Sequence, residues 1–151
     1  MTEPKRPNKS PRRRAREFAV QALYQSMMNQ NTPLGDIANH LREHTDFKNA
    51  DKELFNRLFL GASHNQSDYM QQIVPHLDRD EKMINPIERA ILLMATHELN
   101  AMLETPHAVI INEAIEVTKT FGGTDSHKFI NGILDKLAAQ LRPAKQPESE
   151  A

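Results

Sequence analysis

The sequence predicts an all-α fold of two packed helical bundles of about three helices each. Three observations carry that prediction. Apolar residues recur at three- and four-residue intervals through most of the chain, the period of helices with one buried face. Asn85-Pro86 and Thr105-Pro106 pair a capping side chain with a proline, a helix-start signal. No stretch alternates with the two-residue period of a half-buried strand, and no internal repeat stands out.

Taken in order, residues 1–11 hold Pro4, Pro7 and Pro11 among polar residues and read as a disordered basic arm. From Arg12 a first helix places Ala15, Phe18, Ala19, Ala22, Leu23, Ser26 and Met27 in one stripe, and Asn29 to Pro33 breaks it. Leu34, Ile37, Ala38 and Leu41 mark a short second helix. A third is predicted from Ala50 to Val74, ended by Pro75, with the polar Asn65 and Gln66 either paired across the core or lining a junction. The charged stretch Asp78–Lys82 reads as a connector between an N-terminal bundle (12–77) and a C-terminal bundle (78–142). Ile87 to Met102 is apolar nearly all round and so is the central helix of the second bundle. Glu98 on its most apolar side needs hydrogen-bond donors. A further helix after Pro106 is stopped by Gly122-Gly123. Thr124, Asp125 or Ser126 caps the last helix, in which Phe129 or Ile130, Ile133, Leu137 and Leu141 recur; Arg142-Pro143 ends it, and 143–151 is a loose tail.

A chain of 151 residues suits one domain, or two small halves sharing a core, and can bury roughly two-thirds of its unfolded surface. Without cysteine it has no disulfides, thiolate zinc sites or Cys nucleophile. No run of about 18 apolar residues could span a membrane, and the polar, basic N-terminus lacks a signal-peptide core, so a cytoplasmic location is expected. Net charge is -1, but residues 1–16 carry seven basic side chains against one acid, leaving 12 basic and 19 acidic groups in the rest. A basic arm on a mildly acidic body points to a polyanionic partner met at one edge.

The motifs favour binding over catalysis. His40-Leu41-Arg42-Glu43-His44 spells H-x-x-E-H, whose histidines would share a helix face as in inverted zinc proteases. It lacks a third ligand and lies on a short, weakly apolar helix, where solvated histidines are ordinary; no metal or cofactor is expected. Gly122-Gly123 is too short for a phosphate loop. Arg12, Arg13, Arg14 and Arg16 are more informative. They crowd the start of a helix, the wrong end for cations in the helix dipole, which favours a ligand over folding as the explanation. Arg13 and Tyr24 share an azimuth about 16 Å apart along the axis, a spacing suited to gripping a backbone and stacking a base, although Tyr24 equally suits a half-buried core position. A second set lies in Phe121 to Phe129, where Asp125 could cap a helix or accept from base edges and Lys128 could neutralise a phosphate; the plain alternative is a helix connection with both rings packed inward.

Arg12 to Tyr24 (RRRAREFAVQALY), Ile87 to Leu92 with His97-Glu98-Leu99, and Ile111 to Glu116 followed by Phe121-Gly122 and Asp125 to Asp135 together resemble the NusB family of bacterial transcription antitermination factors. The resemblance covers most of residues 12–141. It implies a two-bundle helical fold and binding of boxA, a single-stranded RNA element of ribosomal-RNA leaders, together with the ribosomal protein NusE. It further implies association with the RNA polymerase elongation complex and other Nus factors. Carried over position by position, it implies RNA contacts at Arg12, Arg13, Arg16, Tyr24, Glu88, Phe121, Asp125, Lys128 and Phe129. The proline-rich leader, residues 29–53 and the acidic tail depart from the family pattern, which leaves the protein-partner surface hardest to place. Two other readings are an accessory helical domain like the one fused to ribosomal-RNA cytosine methyltransferases, and a protein-interaction scaffold whose arginines are merely solvated.

Overall fold

The computed structural model describes residues 9–121 and 125–143. Most of the basic arm, the Gly122-Gly123 stop and the tail from 144 lie outside the described residues. Among those described there are seven α-helices, three short 3₁₀ turns and no strand.

Helix α1 (Pro11–Met28) starts one residue before Arg12 because Ser10 caps it, its Oγ accepting from the Arg13 amide, with Pro11 at the first helical position. The predicted stripe is buried from Ala15 to Leu23, with Ser26 and Met27 half-buried. Helix α2 (Leu34–Arg42) follows the Pro33 break, and a 3₁₀ turn (Thr45–Asn49) drives Phe47 into the core. The predicted third helix is two: α3 (Lys52–His64) and α4 (Gln66–Ile73). Asn65 leaves helical geometry at φ -113°, ψ 18°, and its side-chain amide donates to the Gly61 carbonyl at 2.8 Å, so the polar pair lines a junction. Pro75 then falls inside a 3₁₀ turn, Val74–His76.

Helix α5 (Pro86–Ala101) opens with a full capping box. Asn85 Oδ1 accepts from the Glu88 amide at 2.8 Å, and Glu88 Oε1 accepts from the Asn85 amide at 3.2 Å. It is buried continuously from Ala90 to Leu99 and packs against α1, α3, α4, α6 (His107–Phe121) and α7 (Ser126–Leu141). One apolar core therefore runs through both sequence halves. Phe18, Phe47 and Phe55 pack edge-to-face with successive centroids 5.0 Å apart, and Phe59 continues the chain at 5.9 Å in a tilted pair with Phe55, tying α1 to α3. Gly61 lets α3 approach α5, since an added Cβ would sit inside the His97 imidazole. His97 Nδ1 in turn is 2.8 Å from Tyr69 Oη on α4.

Arg142 does more than end α7. Its guanidinium donates to the carbonyls of Glu98 (2.9 Å), Leu99 (3.1 Å), Met102 (3.0 Å) and Thr105, adding donors for the carbonyls at the C-terminus of α5 and in the loop after it. The H-x-x-E-H run does not form a ligand face. Helix α2 ends at Arg42, and His44 is turned onto Phe18, its Nδ1 accepting from the Asp46 amide.

Candidate nucleic-acid interface

The four arginines at the start of α1 find carboxylates from elsewhere in the fold. Arg12 lies 3.7 Å from Asp51, and Arg14 bonds Asp46. Arg13 donates from Nε (3.1 Å) and Nη2 (2.7 Å) to the two oxygens of Glu113 on α6, with Glu116 at 4.0 Å. Arg16 donates from Nε (2.9 Å) and Nη2 (2.8 Å) to Glu98 on α5. Folding, not only a ligand, thus accounts for cations at this helix end: acids from other elements offset the unfavourable dipole.

Arg16 corrects the expectation most clearly. Its side chain is 2% exposed and that of Glu98 1%, so the guanidinium has no path to a phosphate. Burial pulls against its charge, but the Glu98 hydrogen bonds and the nearby Glu98 and Glu113 charges hold its pKa above the usual arginine value. Arg16 is a staple between α1 and α5. It is also the donor that Glu98 was expected to need. Arg13 is partly exposed and bound; through that hydrogen bond first, and despite desolvation, it holds the Glu113 carboxyl below its usual range. Arg12 and Lys128 remain exposed.

The row from Arg13 to Tyr24 faces α6. Arg13 meets Glu113, Glu17 accepts from Thr120 Oγ1 at 3.3 Å, and Tyr24 shares a cleft with Thr118 and Phe121. That cleft, about 270 Å³, is lined by Tyr24 from α1, Glu88 from α5, Phe121 from α6 and Ser126 from α7. Tyr24 is 37% exposed, so it is neither a core tyrosine nor a free one. Glu88 is buried, with Oε1 on the Asn85 amide and Oε2 accepting from Ser126 Oγ at 2.9 Å. Its helix-start role therefore holds, and any base edge would share oxygens already hydrogen-bonded. Asp125 stands at the N-cap position of α7 with no side-chain capping bond and is exposed.

Phe129 departs from expectation. It is 9% exposed, and the Arg79 guanidinium carbon sits 3.9 Å from its ring centroid. Its ring is not open to a base. Sequence reasoning also missed Ser126, which fixes Glu88, and Glu113, which fixes Arg13; the spacing of the arginine run carries no information about acids a hundred residues away.

The family model of the NusB family matches residues 13–139. The chain belongs to the NusB family. Transcription antitermination protein NusB of Neisseria gonorrhoeae is 67% identical over 135 residues, covering 89% of this chain and 95% of that protein. The Chromobacterium violaceum protein of the same name is 52% identical over 134 residues, 89% of this chain and 90% of its own length. The solved structure of Thermotoga maritima NusB superimposes with a TM-score of 0.77 at 30% identity, covering 95% of this chain and all of that one. The helical NusB fold is thus shared across the chain, cleft-forming helices included. Among the described residues no helix is long and apolar enough to cross a membrane, and no group of three or more potential metal ligands occurs.

Proposed function

We propose that this NusB-family chain acts in transcription antitermination by binding the single-stranded boxA element of ribosomal-RNA leaders together with NusE, as an adaptor for the RNA polymerase elongation complex and other Nus factors. The observation that carries the reading is the cleft where Tyr24, Glu88, Phe121 and Ser126 meet. It offers a half-exposed ring for stacking beside acceptors for base amino and imino groups, with the exposed Asp125 and Lys128 on the first turn of the adjoining helix. Stacking on aromatic rings with selective contacts to base edges is how unpaired RNA is read. Acidic groups in the cleft disfavour phosphates there, which leaves the backbone to Arg12, Arg13 and Lys128.

With Arg16 buried, Arg12, Arg13 and Lys128 leave about two or three phosphates to be neutralised. For single strands that gives a slope of log K against log[salt] of about -2. A titration of boxA and scrambled RNA across salt, with and without NusE, tests the reading. Preference for boxA, a slope near -2 and tighter binding with NusE are expected; equal affinity for the scrambled RNA removes the proposal.

A further inference from the structure

The segment Asp78–Lys82 has so far served only as a connector, yet it delivers one side chain to the cleft's flank. The guanidinium carbon of Arg79 lies 3.9 Å from the centroid of Phe129. Asp78 accepts from Arg79 Nε at 2.8 Å and from Nη2 at 3.5 Å, which fixes the group from its edge. The ring covers one side and the carboxylate the Nε edge, yet the Arg79 side chain remains 38% exposed, so its open surface is the remainder, away from the ring. Phe129 beneath is almost wholly buried. Phe129 lies one helical turn from Ser126, which lines the cleft, and residues three apart on a helix are neighbours. The charge of Glu88, inside the cleft, also reaches Arg79.

We infer that Arg79 supplies a base-stacking surface on the flank of this cleft, with Phe129 supporting the guanidinium from below and Asp78 fixing its edge. The inference rests on the RNA reading above and names a contact which that reading lacks. A guanidinium is planar and weakly hydrated, and it stacks on aromatic faces and on bases alike, which an ammonium does not. A ring as buried as Phe129 meets no base directly; a cation held over it presents a flat face and a positive charge together. Arg79 thereby takes the role that the family resemblance implies for Phe129.

The test compares Arg79→Lys and Arg79→Met with the full-length wild type, using boxA oligonucleotides carrying 2-aminopurine at successive positions. For a stacking plane, both variants weaken binding about fivefold or more. Both also abolish the fluorescence quench at the same one position. Arg79→Met alone makes the salt slope shallower, by about 0.7. Wild-type affinity and quench in Arg79→Lys would reduce the residue to a point charge and overturn the inference. Tighter binding by Arg79→Met overturns it in the other direction, making Arg79 a cover over Phe129. Because the side chain is exposed, thermal melts of both variants should match wild type. Loss of RNA binding in Tyr24→Ala with both Arg79 variants silent sinks this inference alone; a wild type with no preference for boxA sinks the RNA reading with it.

Discussion

Replacing Arg16 by Met separates a structural arginine from an RNA-binding one. The substitution keeps an unbranched side chain of related length and leaves Glu98, 1% exposed, without the two donors at 2.8 and 2.9 Å that compensate its burial. Breaking one partner of a buried pair costs about 3–5 kcal/mol, because the stranded charge has neither water nor counter-ion. Against a domain stability of roughly 5–15 kcal/mol that is a large share. At about 2–4 °C per kcal/mol for a chain of this size, the melting temperature should fall by about 6–20 °C. The double change Arg16→Met with Glu98→Leu removes both charges and fills the volume, and such replacements are commonly neutral or stabilising. Glu113, 3.6 Å from Arg16, still has Arg13. Circular dichroism melts at 222 nm, repeated with urea titration, should therefore show the single variant well below wild type and the double variant near it. The double variant should also keep wild-type RNA affinity. A single variant that melts with wild type, or a double variant no more stable than the single, would refute the staple.

Gly61→Ala gains up to about 1 kcal/mol of helix propensity but drives a methyl into the His97 ring, an overpacking cost of about 1–3 kcal/mol, so a lower urea midpoint is expected. Arg142→Met, which keeps the aliphatic stem but removes the donors to four carbonyls, should lose at least one charge-assisted bond's worth, about 1.5–3 kcal/mol; an unchanged midpoint would show that water replaces the cap. Burial first, and the Arg57 charge second, push the His97 pKa below its ordinary 6.5. The unfolded chain therefore takes up the proton first. The stability from neutral His97 is complete above pH 6.5 and is lost as pH falls through that value toward the folded pKa. Urea midpoints between pH 7.5 and 5 should fall for wild type and fall less for His97→Gln.

Local signals were legible where one short segment contains both the cause and its effect. Asn85-Pro86 announces α5 because cap, proline and capping-box glutamate lie within four residues. The break at Asn65 was hidden because neither glycine nor proline stands there, and only the side chain's turn back to Gly61 reveals it. The arginine run shows the opposite limit. Four similar side chains within about one and a half turns meet Asp51, Glu113, Asp46 and Glu98, and those acids alone decide which guanidinium is buried. Glu98 on an apolar face was the one available hint, since a carboxylate there demands a donor. For the candidate site, Tyr24 and Phe121, read from the chain, and Glu88, implied by the family resemblance, share the cleft, while Phe129 lies under a connector arginine, which spacing does not show.

The central claim, that the four-helix cleft and not the buried Arg16 contacts the RNA, is tested most directly by boxA affinity of Tyr24→Ala beside that of the Arg16→Met, Glu98→Leu pair. Loss of one base stack in Tyr24→Ala, about 1–3 kcal/mol or roughly 5- to 150-fold, with retained affinity in the paired variant, is the predicted result. Unchanged affinity in Tyr24→Ala with a large loss in the paired variant would contradict it.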